Sequence, residues 1–487
     1  MGGAGTLKGL ERIGGMSSVL GIYTQYGVNC LTCQGVRASV LADPWHRPHY
    51  MKRACHEAKR ASLLTIMADL FRTRTPMFAL AARRFAALLA AAVPATALHA
   101  QEPVRPVVLL HANVIDGVSA QPLRDVTVVL AGGRIAAIGA NAARPADATV
   151  IDLHGRWVLP GLIDAHTHIS TLGAARRALE SGVTTVRSAS TSNFQDVALR
   201  EMVKTGKIAG PDMLAAGVFI SPDLGESVLA DPRLAALANG VNTAAELALA
   251  VEVNADHGVD VIKTRGTERA GLPDTDPRKQ SYTEAQLRVV VEAAARRGLS
   301  VLAHAHGDEG AYAAVKAGVK SIEHGTYLSD STLKLMAQTG AFLVPTYTTL
   351  LDLRDAGGDY DDPVLHVRAL HMIPVAQKMV RRARELGVRV VTGVDTQYGP
   401  QSVSRVSHEI ISFTELGFTP MDAIKAATSL AAECLGLSAK TGRIASGFEA
   451  DLIVVEGNPL DDIRQIQDVT VVVSNGRVAL NRLPFSK

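Results

Sequence analysis

Two histidines one residue apart, His166 and His168, close the run Gly161-Leu-Ile-Asp-Ala-His-Thr-His168. A strand projects residues i and i+2 from one face, so the two imidazoles point the same way, and side by side in a concave site they chelate a metal ion. Standing alone, the pair could equally be a solvated strand end. Further donors close separate apolar runs: His304 and His306 in His-Ala-His-Gly, His324 in Ser-Ile-Glu-His-Gly and Asp395 in Gly-Val-Asp. Nitrogen and oxygen donors at the ends of several strands converge on one rim, where a parallel barrel carries its chemistry. We take His304 as the metal ligand and leave His306, on the same face, to the substrate or to the layer behind the ligands.

Lys263, in Val-Ile-Lys-Thr, stands at the same height on another strand. A free ammonium beside metal ions would lose its hydration at heavy cost and face like charge. A neutral amine can instead add carbon dioxide, giving a carbamate whose oxygens bridge two cations. The competing reading is a salt bridge at the barrel rim, with Glu323 as the partner.

The elements that must position these groups repeat. Candidate strands are Leu162 to His168, Val183 to Arg187, Met213 to Phe219, Val259 to Arg265, Ser300 to His306, Ser321 to His324, Phe342 to Tyr347 and Arg389 to Asp395. Helix-like segments lie between them, several stopped by a glycine just before the next strand, as at Gly182, Gly258, Gly298, Gly318, Gly340 and Gly387. Thr283-Glu-Ala-Gln286 opens one helix as a capping box, followed by the apolar stripe Leu287, Val290, Val291 and Ala294. The α/β alternation over residues 161–439 predicts a (β/α)₈ TIM barrel. Short β-branched runs flank it: Val107 to Leu110, Val126 to Leu130, Ile135 to Ile138 and Val150 to Leu153 before, Asp451 to Val455 and Val469 to Val473 after. Neither end has strands enough to stand alone, so residues 101–160 and 440–487 are expected to pair into one composite β-sandwich domain.

The chain has 487 residues, 47% of them hydrophobic and 20% charged, proportions of a folded globular protein and not of a disordered or fibrous one. Its net charge of +3 is uneven: residues 1–100 hold 12 basic against 4 acidic side chains, a net +8, and the remainder, with 38 against 43, carries −5. From Met77 the order is Arg83 and Arg84, an apolar run from Phe85 to Val93, then small residues at Ala95, Ala97 and Ala100. That is the order of a secretory signal peptide, against the alternative of a buried Ala-rich helix. It predicts export to the periplasm or medium, and the run is too short to anchor the chain in a membrane. Residues 1–76 are read as an extension upstream of the true start, without ordered structure. Cys30, Cys33 and Cys55 with His46, His49 and His56 suggest a zinc site there, but the regular second pair is missing. Beyond residue 100 only Cys434 remains, so no internal disulfide forms, and the acidic remainder has no basic stripe for nucleic acid.

Gly161 to His168, Val-Ile-Lys263, His304-Ala-His306-Gly307, Ser321 to Gly325, Gly393-Val-Asp395 and Gly447-Phe-Glu-Ala-Asp-Leu-Ile-Val454 together resemble the amidohydrolase superfamily. The strand-four lysine with His-Ala-x-Gly and Ile-Glu-His-Gly is most similar to its Xaa-Pro dipeptidase and carboxypeptidase subgroup, which also contains ochratoxin-hydrolysing amidohydrolases. The resemblance implies two divalent metals, zinc foremost, bridged by carbamylated Lys263 and a hydroxide. His166, His168 and Asp395 would hold one, His304 and His324 the other. Asp395 would be the catalytic general base. The substrate it implies is a small dipeptide-like or N-acyl amino-acid amide that releases a C-terminal amino acid. Barrels of this kind often associate, so a homo-oligomer is expected.

The chain also departs from the family. Relatives often carry Arg-Asp after the second strand, where this chain has Arg187-Ser188. Two residues past the lysine, where relatives commonly have an aromatic or aliphatic residue, stands Arg265. It is a candidate fork for a substrate carboxylate, the alternative being a pair with Glu268 or Asp308. Tyr327 and Tyr347 either line the pocket or pack at the rim, and His408 reads as helix packing. Specificity is expected in the loops Gly266 to Ser281 and Leu350 to Pro374. The competing functions are a one-metal cyclic-amide hydrolase or deaminase like imidazolonepropionase, against which Lys263 argues, and an inactive binding protein, against which the full donor set argues. The number of bound metals separates the three.

Overall fold

The computed structural model describes residues 105–483; the segment expected to be a signal peptide and the cysteine and histidine cluster before it lie outside the described residues. The described chain opens with β1 (Val107–Val114), β2 (Leu123–Ala131), β3 (Arg134–Gly139), β4 (Thr149–Asp152) and β5 (Trp157–Pro160). It continues with β6 (Leu162–Thr167), β7 (Val183–Ser188), β8 (Asp212–Leu214), β9 (Val261–Arg265), β10 (Ser300–Ala305), β11 (Ser321–His324), β12 (Phe342–Val344) and β13 (Arg389–Val390). It ends with β14 (Leu452–Val455), β15 (Val469–Ser474) and β16 (Arg477–Asn481).

The two ends of the chain share one eight-stranded sheet, in the order β16-β15-β14-β5-β1-β2-β3 with β4 beside β1. The joint is the antiparallel pair β14 and β5, which sets Leu452 against Pro160 and Val455 against Trp157. Alternation in these strands sorts their side chains between two cores. Val158, Leu452, Val454 and Val471 join one cluster, while Trp157, Leu159, Ile453 and Val455 join the larger cluster under the parallel strands.

Strands β6, β7 and β8 form one parallel sheet and β9 to β13 another. Isolated parallel bridges join the segments that follow β8 and β13 to the neighbouring sheet, Ile220 with Thr264 of β9 and Thr396 with Thr167 of β6. Helices cover the sheets between successive strands. Those over Ala244–Asp256 and Glu284–Arg296 open with complete capping boxes, Thr243 with Glu246 and Thr283 with Gln286. Each satisfies backbone N–H groups that the first turn of a helix leaves without an intrahelical partner.

Strand ends depart from the sequence reading where the chemistry lies. Ser321–His324 agrees residue for residue, but the strand expected from Arg389 to Asp395 pairs only over Arg389–Val390. Its continuation leaves the regular ladder because a side chain and the backbone of β6 take its amides: Val394 N–H donates to Asp164 Oδ1 at 3.1 Å and Asp395 N–H to the His166 carbonyl at 2.7 Å. Asp395 consequently has φ 46°. The run expected from Phe342 to Tyr347 pairs only through Val344, since Thr346 turns left-handed with φ 45° and Tyr347 starts a helix.

Candidate metal centre

The structure brings His166, His168, Lys263, His304, His306, His324 and Asp395 to the wall of one cavity of about 660 Å³. Two sets of donor atoms are close enough to share an ion: His304, His306 and His324, and His166, His324 and Asp395. Sequence reasoning separated His306 from His304; in space it is an equal member of the first set. The rings of His306 and His324 stack at 4.6 Å.

Hydrogen bonds aim each ring. Nδ1 of His166 lies 2.6 Å from Glu323 Oε2. Glu323 is ionised, its pKa down to about 2; burial opposes this, and Arg187 and the His166 bond outweigh it. A carboxylate only accepts, so His166 carries its proton on Nδ1 and turns the Nε2 lone pair inward. Lys263 Nζ and Asp395 Oδ1 both lie 3.4 Å from that nitrogen. Likewise His168 donates from Nδ1 to the Ser190 carbonyl at 2.9 Å and presents Nε2 to Asp395 Oδ1 at 3.0 Å. His304 is reversed: its Nε2 donates to the Glu268 carbonyl at 3.1 Å, which leaves Nδ1 for the cavity. The hydroxyls of Thr326 and Thr346 hold Nδ1 of His306 and His324 at 2.9 and 2.7 Å.

The close packing of these side chains requires a small neighbour. At Gly393 a Cβ would meet Val344 at 2.5 Å and His166 Cβ at 2.8 Å, so only glycine lets the segment bearing Asp395 approach His166.

Electrostatics suit a cation. Burial lowers the pKa of His166 to about 4 and of His306 to about 3, and pushes His304 and His324 well below the ordinary histidine value. All four are therefore neutral imidazoles at neutral pH, the form a metal ligand must have. Burial also brings Lys263 down to about 8, within reach of the free amine that a carbamate needs. Asp395 is held well below the usual carboxylate range: burial resists ionisation, but His166, His168 and Lys263 overcome it. Buried imidazole nitrogens with one carboxylate and one deprotonatable amine form a donor set for a borderline divalent cation.

Other expectations change. Tyr347 does not line the cavity: it starts the helix Tyr347–Arg354, is buried, and accepts a 2.8 Å bond at its hydroxyl from Gln377 Nε2. Nor does Tyr327, whose ring lies 6.2 Å from His371 beyond the turn that follows β11. Tyr360, which sequence reading passed over, lines the cavity instead, with its hydroxyl 3.4 Å from the Asp395 carbonyl. Arg265 does line it, and His408 sits in the helix Val406–Glu415. In place of the alternative Lys263 to Glu323 bridge, Arg187 Nη2 donates to Glu323 Oε1 at 2.9 Å. The signal was available: Glu323 and Arg187 are charges inside strands otherwise fully buried.

The amidohydrolase family model matches residues 157–479, from the strand before His166 to the far side of the last strands. This chain belongs to the amidohydrolase family. Ochratoxinase from Aspergillus niger is 27% identical over 420 residues, covering 76% of this chain and 86% of that protein. Imidazolonepropionase from Chromobacterium violaceum is 27% identical over 403 residues, covering 73% and 92%. Among solved structures, a Xaa-Pro dipeptidase with bound methionine in its active site is 29% identical with a TM-score of 0.70, covering 77% of this chain and 99% of that one. The protein is thus a hydrolase of this family with neighbours that act on amide and peptide bonds. Among the described residues no helix is long and apolar enough to cross a membrane.

Proposed function

We propose that the protein is a binuclear-metal amidohydrolase that releases a C-terminal amino acid from N-acyl amino acids or dipeptides, ochratoxin-type amides among them. The observation that carries this reading is that neutral imidazoles, Asp395 and the Lys263 amine share one cavity wall, with Lys263 Nζ and Asp395 Oδ1 each 3.4 Å from His166 Nε2 and the amine close to deprotonation. In this reading residues 161–439 form a (β/α)₈ barrel and both chain ends a composite β-sandwich. His166, His168 and Asp395 would hold one divalent ion and His304 and His324 the other, and carbamylated Lys263 would contribute anionic oxygen to both. Zinc suits this nitrogen-rich set. When bound, such ions would polarise an amide carbonyl and lower the pKa of a bound water toward neutrality.

The chain's own residues do the rest. Asp395, ionised and 3.0 Å from His168 Nε2, takes a proton from the attacking water and passes it to the departing amine nitrogen. With the Thr326 hydroxyl donating to its Nδ1, His306 carries a proton on Nε2 and can donate to the carbonyl oxygen. Arg265, on β9 two residues past Lys263, takes the α-carboxylate of the leaving amino acid.

Hydrolysis of N-acyl amino acids and Xaa-Pro dipeptides by the zinc-loaded protein, read as released amino acid, tests the proposal. Two metals per chain with turnover are expected. Two metals with no cleavage across the set would overturn it, and one metal with activity on a cyclic amide would favour the imidazolonepropionase-like reading. We also read residues 77–100 as an export signal; intact mass of the exported protein is expected to place its start at Leu98 or Gln101, after Ala97 or Ala100.

A further inference from the structure

Among the described residues, two guanidiniums at the cavity wall have no counter-ion. Arg265 is half-buried, its Nε buried without a hydrogen-bond partner and its guanidinium 4.8 Å from the centre of the Phe219 ring. Burial, and then the charge of Arg269, bring its pKa down to about 10. Arg269 lines the same cavity from the loop after β9, close enough to Arg265 and Lys263 to act on both.

The nearby acids are committed elsewhere. Glu268 pairs with Lys279 Nζ at 2.7 Å and accepts from Asp276 N–H. Asp308 accepts from Ser329 N–H and the Thr332 hydroxyl. Asp223 and Glu226 at the cavity mouth are exposed, where water and salt screen them, and Asp223 already accepts from Gly225 N–H. Asp395 faces the histidines. The loop itself is fixed: Arg368 donates to the carbonyls of Ala270, Leu272, Pro273 and Thr275. Two cations are therefore held together in a partly dry site, an arrangement that is unfavourable until anions occupy it.

We propose that Arg265 and Arg269 form a dianion subsite, and that the substrates are amides whose released amino acid is aspartate or glutamate. Arg265 takes the α-carboxylate and Arg269 the side-chain carboxylate. This rests on the reading of the cavity as the place of amide cleavage, but its test does not depend on turnover.

Calorimetric titration of the metal-loaded protein compares L-glutamate with L-glutamine, which has the same shape and one charge fewer. Glutamate is expected to bind about tenfold more tightly, the effect of one added charge-assisted fork. In Arg269→Gln the ratio falls to near one; in Arg269→Lys, which keeps the charge without the fork, it is intermediate. In Arg265→Gln both ligands weaken. Equal binding of glutamate and glutamine by the unaltered protein, binding of neither, or an unchanged ratio in Arg269→Gln would overturn the assignment. A glutamate preference without hydrolysis of any N-acyl amino acid would overturn the proposed activity and leave the subsite standing. Hydrolysis without a preference would do the reverse.

Discussion

Glu323 joins two groups on strands far from it in the sequence: one carboxylate oxygen accepts a hydrogen bond from His166 Nδ1 at 2.6 Å, and the other accepts from Arg187 Nη2 at 2.9 Å. The Ser321 hydroxyl completes the set on the same side. Every member is buried, so the carboxylate sets the tautomer of a candidate metal ligand and also neutralises a guanidinium inside the molecule.

Removing that charge is expected to separate the two roles. Glu323→Gln leaves Arg187 buried without its anion, at a cost of about 3 to 5 kcal/mol in denaturant unfolding. It also lets the His166 ring turn, which weakens metal affinity about 10- to 100-fold. Pairing it with Arg187→Met should recover most of the stability and none of the affinity. Recovery of both would show that Glu323 acts only as a counter-ion.

Asp395 sits at φ 46°, a conformation that asparagine adopts readily and alanine does not. Asp395→Asn should therefore keep the fold and its metal while losing about 10²- to 10⁴-fold in turnover, the loss of a general base. Near-normal rates with full metal content would remove Asp395 from that role.

Lys263 is expected to carry carbon dioxide when metal is bound. Lys263→Ala should lose metal retention, and short carboxylates such as formate or acetate should partly restore activity by replacing the carbamate oxygens. Activity of the unaltered protein reconstituted with metal should rise with added bicarbonate. Indifference to bicarbonate, with no rescue of the variant, would return Lys263 to a structural cation.

Acid should unfold the metal-stripped protein through its histidines. The folded pKa of His306 is lowered to about 3, below the unfolded value of about 6.5, so its contribution is complete above pH 6.5 and is lost as the pH falls toward 3. His166, lowered to about 4, acts in the same direction. Between those limits His306→Gln should flatten the fall in stability by about 1.4 kcal/mol per pH unit, one proton's worth. Parallel curves for variant and parent would show that His306 titrates as an exposed histidine.

Much of this site was legible because a parallel strand displays its last residues in a fixed direction. His166, His168, Lys263, His304 and His324 each close a recognisable apolar run, so their convergence followed from the fold. Asp395 was legible as a residue but not as a conformation. Its segment leaves the ladder for bonds to Asp164 and His166, groups more than two hundred positions away that no local pattern displays. Tyr347 failed for a related reason: one left-handed residue, Thr346, redirected the chain from strand to helix. The committed and uncommitted charges were the least visible. Arg187, Arg265 and Arg269 look alike in sequence, and only their partners, or the lack of them among the described residues, distinguish an internal clamp from a waiting subsite.

Strand β5 runs directly into β6 and His166, and its antiparallel partner is β14, with Gly161 N–H also donating to the Asp451 carbonyl. The strand that begins the histidine cluster is thus buttressed by a segment that lies beyond every parallel strand in the chain. A chain stopped anywhere before Asp451 leaves β5 with an open edge and Trp157 and Leu159 uncovered, an aggregation-prone and protease-sensitive species rather than a partly working one. The candidate site therefore depends on β14, and loss of that strand is expected to abolish folding of the site rather than to weaken it.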